Sequence, residues 1–225
     1  MSQYVVLILL PAFLISMYAQ YKVKSNFERY GRVRSAHGYT GQEVAGRLLR
    51  SEGINNVKIA AVPGKLSDHY DPVHKRVNLS EMVYAQNSIA AVSVAAHECG
   101  HAMQHNEEYG PLTLRHRLVP ITNFVSSASM PILVLGFMMN SLQLIWLGVI
   151  LFSGVVLFHV VTLPVEFNAS HRAIVKLESS GILSAEEIPM AKKVLGAAAL
   201  TYVAAALSAV ANLLYYIAIF SGRDR

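Results

Sequence analysis

Charge is scarce in this chain and is distributed unevenly. Only 15% of its 225 residues are charged, whereas 53% are hydrophobic. Three stretches contain no Asp, Glu, Lys or Arg: residues 1–21, 118–165 and 194–222. A helix that spans a bilayer needs roughly 20 apolar residues, so these stretches have room for one, two and one spans. The composition excludes an ordinary soluble protein and predicts about four transmembrane helices.

Two further absences narrow the interpretation. Cys99 is the only cysteine, which excludes an intramolecular disulfide and leaves a small buried packing residue as its expected role. The first three residues, Met1-Ser2-Gln3, carry no positive charge, and no small-x-small cleavage site follows them. A cleaved signal peptide is therefore disfavoured, and the N-terminal stretch is expected to be a transmembrane helix.

Basic residues flank the apolar stretches mainly on one side. Only Arg223 and Arg225 lie on the opposite side. The positive-inside rule then places the N-terminus outside and the segments 22–118 and 164–196 in the cytoplasm. This topology accounts for the net charge of +5, so no nucleic-acid partner is expected. The basic residues concerned are Lys22, Lys24, Arg29, Arg32, Arg34, Arg115, Arg117, Arg172, Lys176, Lys192 and Lys193.

The segment His97-Glu98-Cys99-Gly100-His101 has the spacing HExxH. Residues four apart share one face of a helix, so His97 and His101 can each give a nitrogen to one zinc ion at about 2.0–2.1 Å. Glu98 is then placed to act as general base toward water on that metal. The alternative is a core helix with two hydrogen-bonded histidines, which leaves the burial of Glu98 unexplained.

The region before the motif predicts a mixture of helix and strand. Thr40-Gly41-Gln42-Glu43 is a capping box, and it opens a helix that ends at Gly53. Residues 57–62 and 76–79 are typical of short strands, and Ser88 or Asn87 is the expected N-cap of the motif helix. A small sheet directly before an HExxH helix is what a zincin uses to hold an extended peptide.

A titratable cluster lies between the two predicted strands. It consists of Asp68, His69 and Asp71, within the polar segment that ends at Pro72. The cluster is either a loop that faces substrate or a solvated turn, and a solvated turn is the more common case for such residues. His69 is nevertheless retained as a candidate substrate or oxyanion residue.

A catalytic zinc ion needs a third protein ligand. His105 shares the helix face, but three consecutive turns span about 12 Å and one ion cannot reach all three histidines. Gln104 and Glu107 occupy the Gly and final His positions of the longer HExxHxxGxxH pattern, which is therefore absent. Glu166 fits, because Pro164 is suited to start a helix after the third span and two spans return the chain to the same membrane face. A charged residue at a membrane exit is the alternative interpretation.

The chain resembles the YugP-type bacterial membrane zinc metallopeptidases over nearly its whole length. The resemblance rests on His-Glu-Cys-Gly-His, on Asp-His-Tyr-Asp-Pro at 68–72, on Leu-Pro-Val-Glu-Phe-Asn-Ala-Ser at 163–170 and on the four-span layout. More distantly, it is similar to the HtpX-like and CAAX-prenyl endopeptidases. The resemblance implies one zinc ion per chain, held by His97, His101 and Glu166, with Glu98 as the base.

Several neighbours of Glu166 bear on the rest of the site. The distant relatives have an Asp four residues after the ligand Glu, where this chain has Ser170. His171 and Arg172 are candidates to stabilise an oxyanion; anchoring of the helix at lipid headgroups is the alternative role for both.

The sequence thus predicts a mainly α membrane protein with about four transmembrane helices. A cytoplasmic zincin-like α+β catalytic region with a small sheet completes it. The predicted segments are an N-terminal transmembrane helix at 1–21, a cytoplasmic zincin-like region at 22–118, a transmembrane hairpin at 119–163, cytoplasmic helices with the third ligand at 164–196, and a C-terminal transmembrane helix with its tail at 197–225.

The expected function is a zinc-dependent endopeptidase of the bacterial cytoplasmic (inner) membrane whose site faces the cytoplasm. Its expected partners are a peptide or protein substrate and the lipid bilayer, and a homo-oligomer or a membrane protein partner is also considered. The main alternative is a non-catalytic zinc-bound scaffold or regulator of a membrane assembly. An intramembrane protease is disfavoured because residues 88–96 are too short to span. A transporter would rest on His159 alone.

Overall fold

The computed structural model describes residues 4–221 of the chain. It is mainly helical, with one small sheet between the second and third helices. A π-helical turn, Val5–Leu9, leads directly into the first α-helix. The elements in chain order are α1 (Leu10–Gly31), α2 (Gly41–Ser51), β1 (Lys58–Val62), β2 (His69–Asp71), β3 (Arg76–Ser80), α3 (Glu81–Ala85), α4 (Ile89–Asn106), α5 (Gly110–Met138), α6 (Leu142–Ser179) and α7 (Ile188–Ser221).

Within residues 4–221, four helices are long and apolar enough to cross a membrane. They are Val5–Gly31, Gly110–Met138, Leu142–Ser179 and Ile188–Ile219. The predicted number of spans is therefore confirmed. The tight connection between the second and third spans is also present, with Asn140 in a left-handed conformation at φ 51°. A polar Asn tolerates that conformation better than most side chains.

Pro164 does not begin a helix, contrary to the sequence-based expectation. It lies inside α6, which runs without a break from Leu142 to Ser179. Proline lacks the N–H that would bond the carbonyl four residues earlier, and long apolar helices tolerate this loss where other groups satisfy the backbone. The preference of proline for the first helical turn therefore gave the wrong boundary. Glu166 consequently lies on the same continuous helix as the third apolar stretch.

The sheet contains three strands in the order β1-β3-β2. Strand β1 runs parallel to the central β3, and β2 runs antiparallel to it. Two of these strands match the sequence prediction. The third, His69–Asp71, lies where the sequence favoured only a loop or a turn. Three polar or half-buried residues show no hydrophobic alternation, so only the main-chain pairing with Arg76–Asn78 reveals this short edge strand.

The predicted helix caps are confirmed. Thr40 Oγ1 accepts a hydrogen bond from the N–H of Glu43 while the Glu43 carboxylate accepts one from the N–H of Thr40. Gly53 follows this helix at φ 70°, a conformation that glycine adopts without strain. Ser88 caps α4 by accepting from the N–H of Ala91 at 3.2 Å.

The described residues form two compact units. The first contains 4–20, 113–164 and 201–221, and the second contains 21–112 and 165–200. The core of the second unit surrounds α4, whose apolar side chains are almost entirely inaccessible. Its largest fully buried apolar residues are Val44, Leu48, Val77, Leu79, Val83, Ile89, Val92, Met103 and Leu177.

Helix α4 crosses α6 at very close range within this unit. A Cβ atom added to Gly100 would lie 2.6 Å from the carbonyl oxygen of Ala169. Real Cβ atoms do not approach backbone oxygen so closely, so only glycine permits this crossing. The glycine of the motif therefore determines how near the two helices come.

Gly100→Ala is expected to destabilise the protein by about 1–3 kcal/mol, the usual cost of overpacking, because two rigid helix backbones must separate. The matched control is Gly196→Ala in α7, where an added Cβ meets no atom within 4 Å. Removing a helical glycine there should be neutral or stabilise by about 0.5–1 kcal/mol. Thermal unfolding of the purified proteins in detergent measures both changes. Equal midpoints for the two variants would contradict the close crossing.

Candidate metal centre

Three side chains from α4 and α6 converge on one point. His97 and His101 project from successive turns of α4, and their ring centroids lie 4.8 Å apart. Glu166 Oε2 lies 3.3 Å from His97 Nε2 and 3.6 Å from His101 Nε2. All three side chains are at most slightly exposed, with Glu166 at 1%.

The donor set and its spacing fit a zinc ion. Two imidazoles and one carboxylate are a common ligand set for catalytic zinc. Tetrahedral coordination with bonds of about 2.0–2.1 Å separates neighbouring ligand atoms by about 3.3 Å, close to the two nitrogen–oxygen distances. The three donor atoms all lie within 4.8 Å of one another. A small adjustment of side chains would therefore place all three on one ion.

Glu98 is buried beside this cluster, with 7% of its surface exposed. Burial raises the pKa of Glu98 to about 7, His97 opposes the rise, and the Glu166 carboxylate adds to it. A divalent cation on the cluster would lower this pKa, because positive charge favours the carboxylate. The charge of Asp68 raises the pKa of Glu98 further and that of His69 lowers it. Both residues, at the start of the β2 region, are therefore near enough to interact electrostatically with Glu98.

His101 is held from behind by a buried amide. Its Nδ1 lies 3.0 Å from Gln104 Oε1, and Gln104 Nε2 donates to the carbonyl of Val165 at 2.8 Å and to Asn168 Oδ1 at 2.9 Å. Gln104 itself is completely buried. In the sequence, Gln104 was noted only as the residue that breaks the longer zinc pattern. Its spacing of three from His101 was the available signal.

His97 is supported by a hydroxyl group. Ser170 Oγ lies 3.1 Å from His97 Nδ1, at the position where the distant relatives have an Asp. The second ring nitrogen of a metal-binding histidine usually has a hydrogen-bond partner. Ser170 thus provides this partner for His97, and it does so without a negative charge.

The polar segment before β3 is well ordered by hydrogen bonds. Asp68 accepts from the N–H of Ser80 at 2.7 Å and from its hydroxyl at 3.1 Å, and burial raises the pKa of Asp68. His69 Nδ1 lies 2.8 Å from the carbonyl of Ser67 and its Nε2 lies 3.0 Å from Asn78 Nδ2. Both ring nitrogens of His69 therefore have partners, while its ring remains exposed.

The other two candidate oxyanion residues lie in different surroundings. His171 is exposed on α6. Arg172 donates from Nε to Asn168 Oδ1 at 2.7 Å and from Nη1 to Glu107 Oε1 at 2.7 Å, and its guanidinium lies 5.9 Å from the ring centre of Tyr109. The structure thus engages Arg172 in contacts between α6 and the end of α4.

Two residues near the motif lie outside the triad. His105 Nδ1 lies 2.7 Å from the hydroxyl of Tyr70, which links the end of α4 to strand β2. The Cys99 thiol is buried and points to the carbonyl of Ala45 at 3.8 Å. Burial raises the pKa of the Cys99 thiol, so it stays protonated and packs between helices.

Comparisons with known proteins identify relatives of this chain. Residues 5–221 match the sequence profile of a family described as "Putative neutral zinc metallopeptidase". The chain is also 51% identical over 211 residues to "Putative membrane protease YugP" of Bacillus subtilis (strain 168), an alignment that covers 93% of this chain and 94% of that relative. No solved structure matches it. The resemblance to the YugP-type zinc metallopeptidases is therefore confirmed.

Glu166→Ala is expected to lower the zinc content of the purified protein sharply, because two histidines alone form an incomplete ligand set. The matched control is His105→Ala, which removes a histidine of the same helix that is not one of the three proposed ligands. It should keep one zinc ion per chain. Metal content per chain, measured by mass spectrometry after dialysis, compares the two, and the opposite result would show that the ligands are assigned wrongly.

Proposed function

Because this chain belongs to the "Putative neutral zinc metallopeptidase" family, we propose that it is a membrane-anchored endopeptidase with His97, His101 and Glu166 as its zinc ligands. The observation that carries this proposal is the convergence of three donor atoms within 4.8 Å, directly beside the buried carboxylate of Glu98. Family membership makes the chain a membrane zinc metallopeptidase, and the residue roles are our assignment.

Glu98 is proposed as the general base. When bound, zinc supplies a Lewis acid that polarises the peptide carbonyl and lowers the pKa of an attacking water. Glu98 accepts a proton from that water and then donates it to the nitrogen of the leaving amine. Its position one residue after His97 supports this role, because the side chain reaches the triad from outside the ligand set. Its burial protects the transferred proton from exchange with bulk solvent.

Strand β2 is proposed as the surface that holds the substrate. It pairs with β3 on one side, and in the described sheet its other edge carries no partner strand. An extended peptide can add to such an edge through main-chain hydrogen bonds. Asp68 and His69 lie close enough to Glu98 to affect its pKa, which supports a substrate path beside the base. His69 is therefore the proposed substrate contact, and the remaining oxyanion candidates are the exposed His171 and Arg172, which pairs with Glu107.

The charge distribution supports a cytoplasmic site in the bacterial cytoplasmic membrane. The basic residues within the four long apolar helices lie toward one end of each helix, and the positive-inside rule assigns that end to the cytoplasm. The residues of the triad belong to segments on this basic side. Two spans separate His101 from Glu166, which is consistent with both lying on one membrane face.

Glu98→Gln is expected to abolish peptidase activity while leaving one zinc ion per chain. The amide keeps the shape of the side chain but accepts no proton, and general-base catalysis alone contributes about 10²–10⁴-fold. Cleavage of unfolded membrane and soluble proteins by the purified enzyme, together with its metal content, measures both effects. The control is Glu81→Gln on α3, an exposed carboxylate whose loss should leave cleavage unchanged.

Two outcomes of that experiment contradict the proposal in different ways. A Glu98→Gln protein that cleaves at the wild-type rate would favour a non-catalytic zinc-bound scaffold or regulator. A Glu98→Gln protein that loses its zinc would show that Glu98 has a structural role at the site.

Reporter domains fused after Arg34 and after Lys176 are both expected to report the cytoplasm. A fusion after Asn140, in the turn between α5 and α6, should report the outside and serves as the control. Paired reporters of alkaline phosphatase and fluorescent protein activity give the location of each fusion in cells. If Arg34 and Lys176 lay on opposite sides, Glu166 could not share a site with the histidines.

A further inference from the structure

Behind His101, a continuous chain of hydrogen bonds joins α4 to α6. It is formed by Glu107, Arg172, Asn168 and Gln104. We propose that Arg172, Asn168 and Gln104 are positioning residues that hold His101 in the tautomer whose Nε2 lone pair faces the zinc site. The inference rests on the proposed metal site, and it adds that this ligand is fixed before the metal binds.

Arg172, at the outer end of the hydrogen-bond chain, determines which groups donate and which accept. A guanidinium group can donate hydrogen bonds but cannot accept them. Its Nε donates at 2.7 Å to Asn168, so the amide of Asn168 must present its oxygen at this contact. Arg172 Nη1 is held in turn by Glu107 Oε1 at 2.7 Å, and this ion pair lowers the pKa of Glu107. The outer end of this hydrogen-bond chain is thus anchored at Glu107, the C-cap residue of α4.

The orientation of the Gln104 amide follows from these contacts and determines which atom faces the metal site. Because Asn168 presents its Oδ1, Gln104 must present its NH₂ group at their 2.9 Å contact. The carbonyl of Val165, which can only accept, demands the same orientation at 2.8 Å. Two independent acceptors therefore fix the Gln104 amide, and its Oε1 is left to face His101.

His101 has one tautomer compatible with this arrangement. An amide oxygen can only accept, so His101 Nδ1 must carry a hydrogen and donate it to Gln104 Oε1 at 3.0 Å. In the neutral imidazole the other nitrogen, Nε2, then has no hydrogen and presents its lone pair. Nε2 is the atom that faces Glu166 in the triad. The hydrogen-bond chain thus leaves the lone pair of Nε2 available to bind the metal.

Burial makes this control effective. Gln104 has no accessible surface, so water cannot replace its partners, and an inverted amide would set N–H against N–H or oxygen against oxygen. His97 differs, because the Ser170 hydroxyl can both donate and accept at their 3.1 Å contact. The two histidine ligands therefore differ at Nδ1: the Gln104 contact fixes the tautomer of His101, whereas the Ser170 contact permits either tautomer of His97.

The first test is zinc affinity, measured by competition with a chromophoric chelator on the full-length protein in detergent. Gln104→Met keeps the length of the side chain and removes its polar groups, and we expect zinc binding about 10–100-fold weaker, the usual effect of losing such a supporting contact. Asn168→Leu should weaken binding similarly. Asn168→Asp keeps the acceptor for both donors and should restore most of the affinity. Ser170→Ala should weaken binding less than Gln104→Met.

The second test distinguishes positioning from packing. Histidine ¹⁵N NMR of the zinc-free protein reports which ring nitrogen carries the hydrogen, and comparison with His101→Asn identifies the His101 signal among the nine histidines. For the neutral ring, we expect the Nδ1–H form of His101 in the wild type and a mixture of tautomers in Gln104→Met. This measurement needs no metal, so it remains decisive even if the proposed zinc site is wrong.

The inference is overturned if zinc-free His101 in the wild type is the Nε2–H form or a mixture. It is also overturned if Gln104→Met binds zinc within threefold of the wild type, or if Asn168→Asp loses as much affinity as Asn168→Leu. Equal zinc binding by the wild type and Glu166→Ala would instead contradict the ligand set of the proposed function.

Discussion

The backbone of α4 approaches α6 at Gly100, and the polar contacts of the candidate site depend on that approach. An added Cβ would lie 2.6 Å from the carbonyl oxygen of Ala169, so the helices meet backbone to backbone at this point. His97 and His101 flank the contact on α4, while Glu166 and Ser170 flank it on α6. Side chains as short as Ser and Glu reach across only because the axes are this close. A larger residue at Gly100 would separate every pair at once.

The crossing also brings an unusual amount of polar surface into the interior. Glu98, His101, Gln104 and Glu166 are all buried, and burying such groups costs free energy unless they are hydrogen-bonded or hold an ion. Hydrogen bonds among Gln104, Val165 and Asn168 offset part of this cost. A divalent cation on the triad would offset more, because it neutralises the buried carboxylate of Glu166. Metal binding and the stability of this unit should therefore be coupled.

Local patterns revealed the parts of the protein that depend on neighbouring residues. The capping box at Thr40, the HExxH spacing and the charge-free stretches each reflect a period or a length, which the sequence displays directly. The strand at His69–Asp71 has no such pattern, since it exists through pairing with β3. Pro164 was misleading because its local preference for a helix start is overridden inside a long apolar helix.

Contacts between residues that are far apart in the sequence limited how much of the site could be predicted. Glu166 was identifiable from its chemistry and from the even number of intervening spans. The partners of Gln104 were not, because Val165 and Asn168 lie more than 60 positions away and approach only when α4 and α6 cross. In the sequence, Ser170 is only a departure from the Asp that distant relatives have four residues after the ligand Glu. Its role follows from the 3.1 Å distance between its hydroxyl and His97 Nδ1.

The buried thiol of Cys99 has a practical consequence. It has no accessible surface, it packs against the carbonyl of Ala45, and burial raises its pKa, so the reactive thiolate form is suppressed. Cys99 is the only cysteine of the chain, and it should not react with maleimides or thiol-specific spin labels while the protein is folded. Any cysteine introduced at the surface would then be labelled selectively in the otherwise native sequence. The fold thus provides a background for distance measurements between engineered probes without removing a native residue.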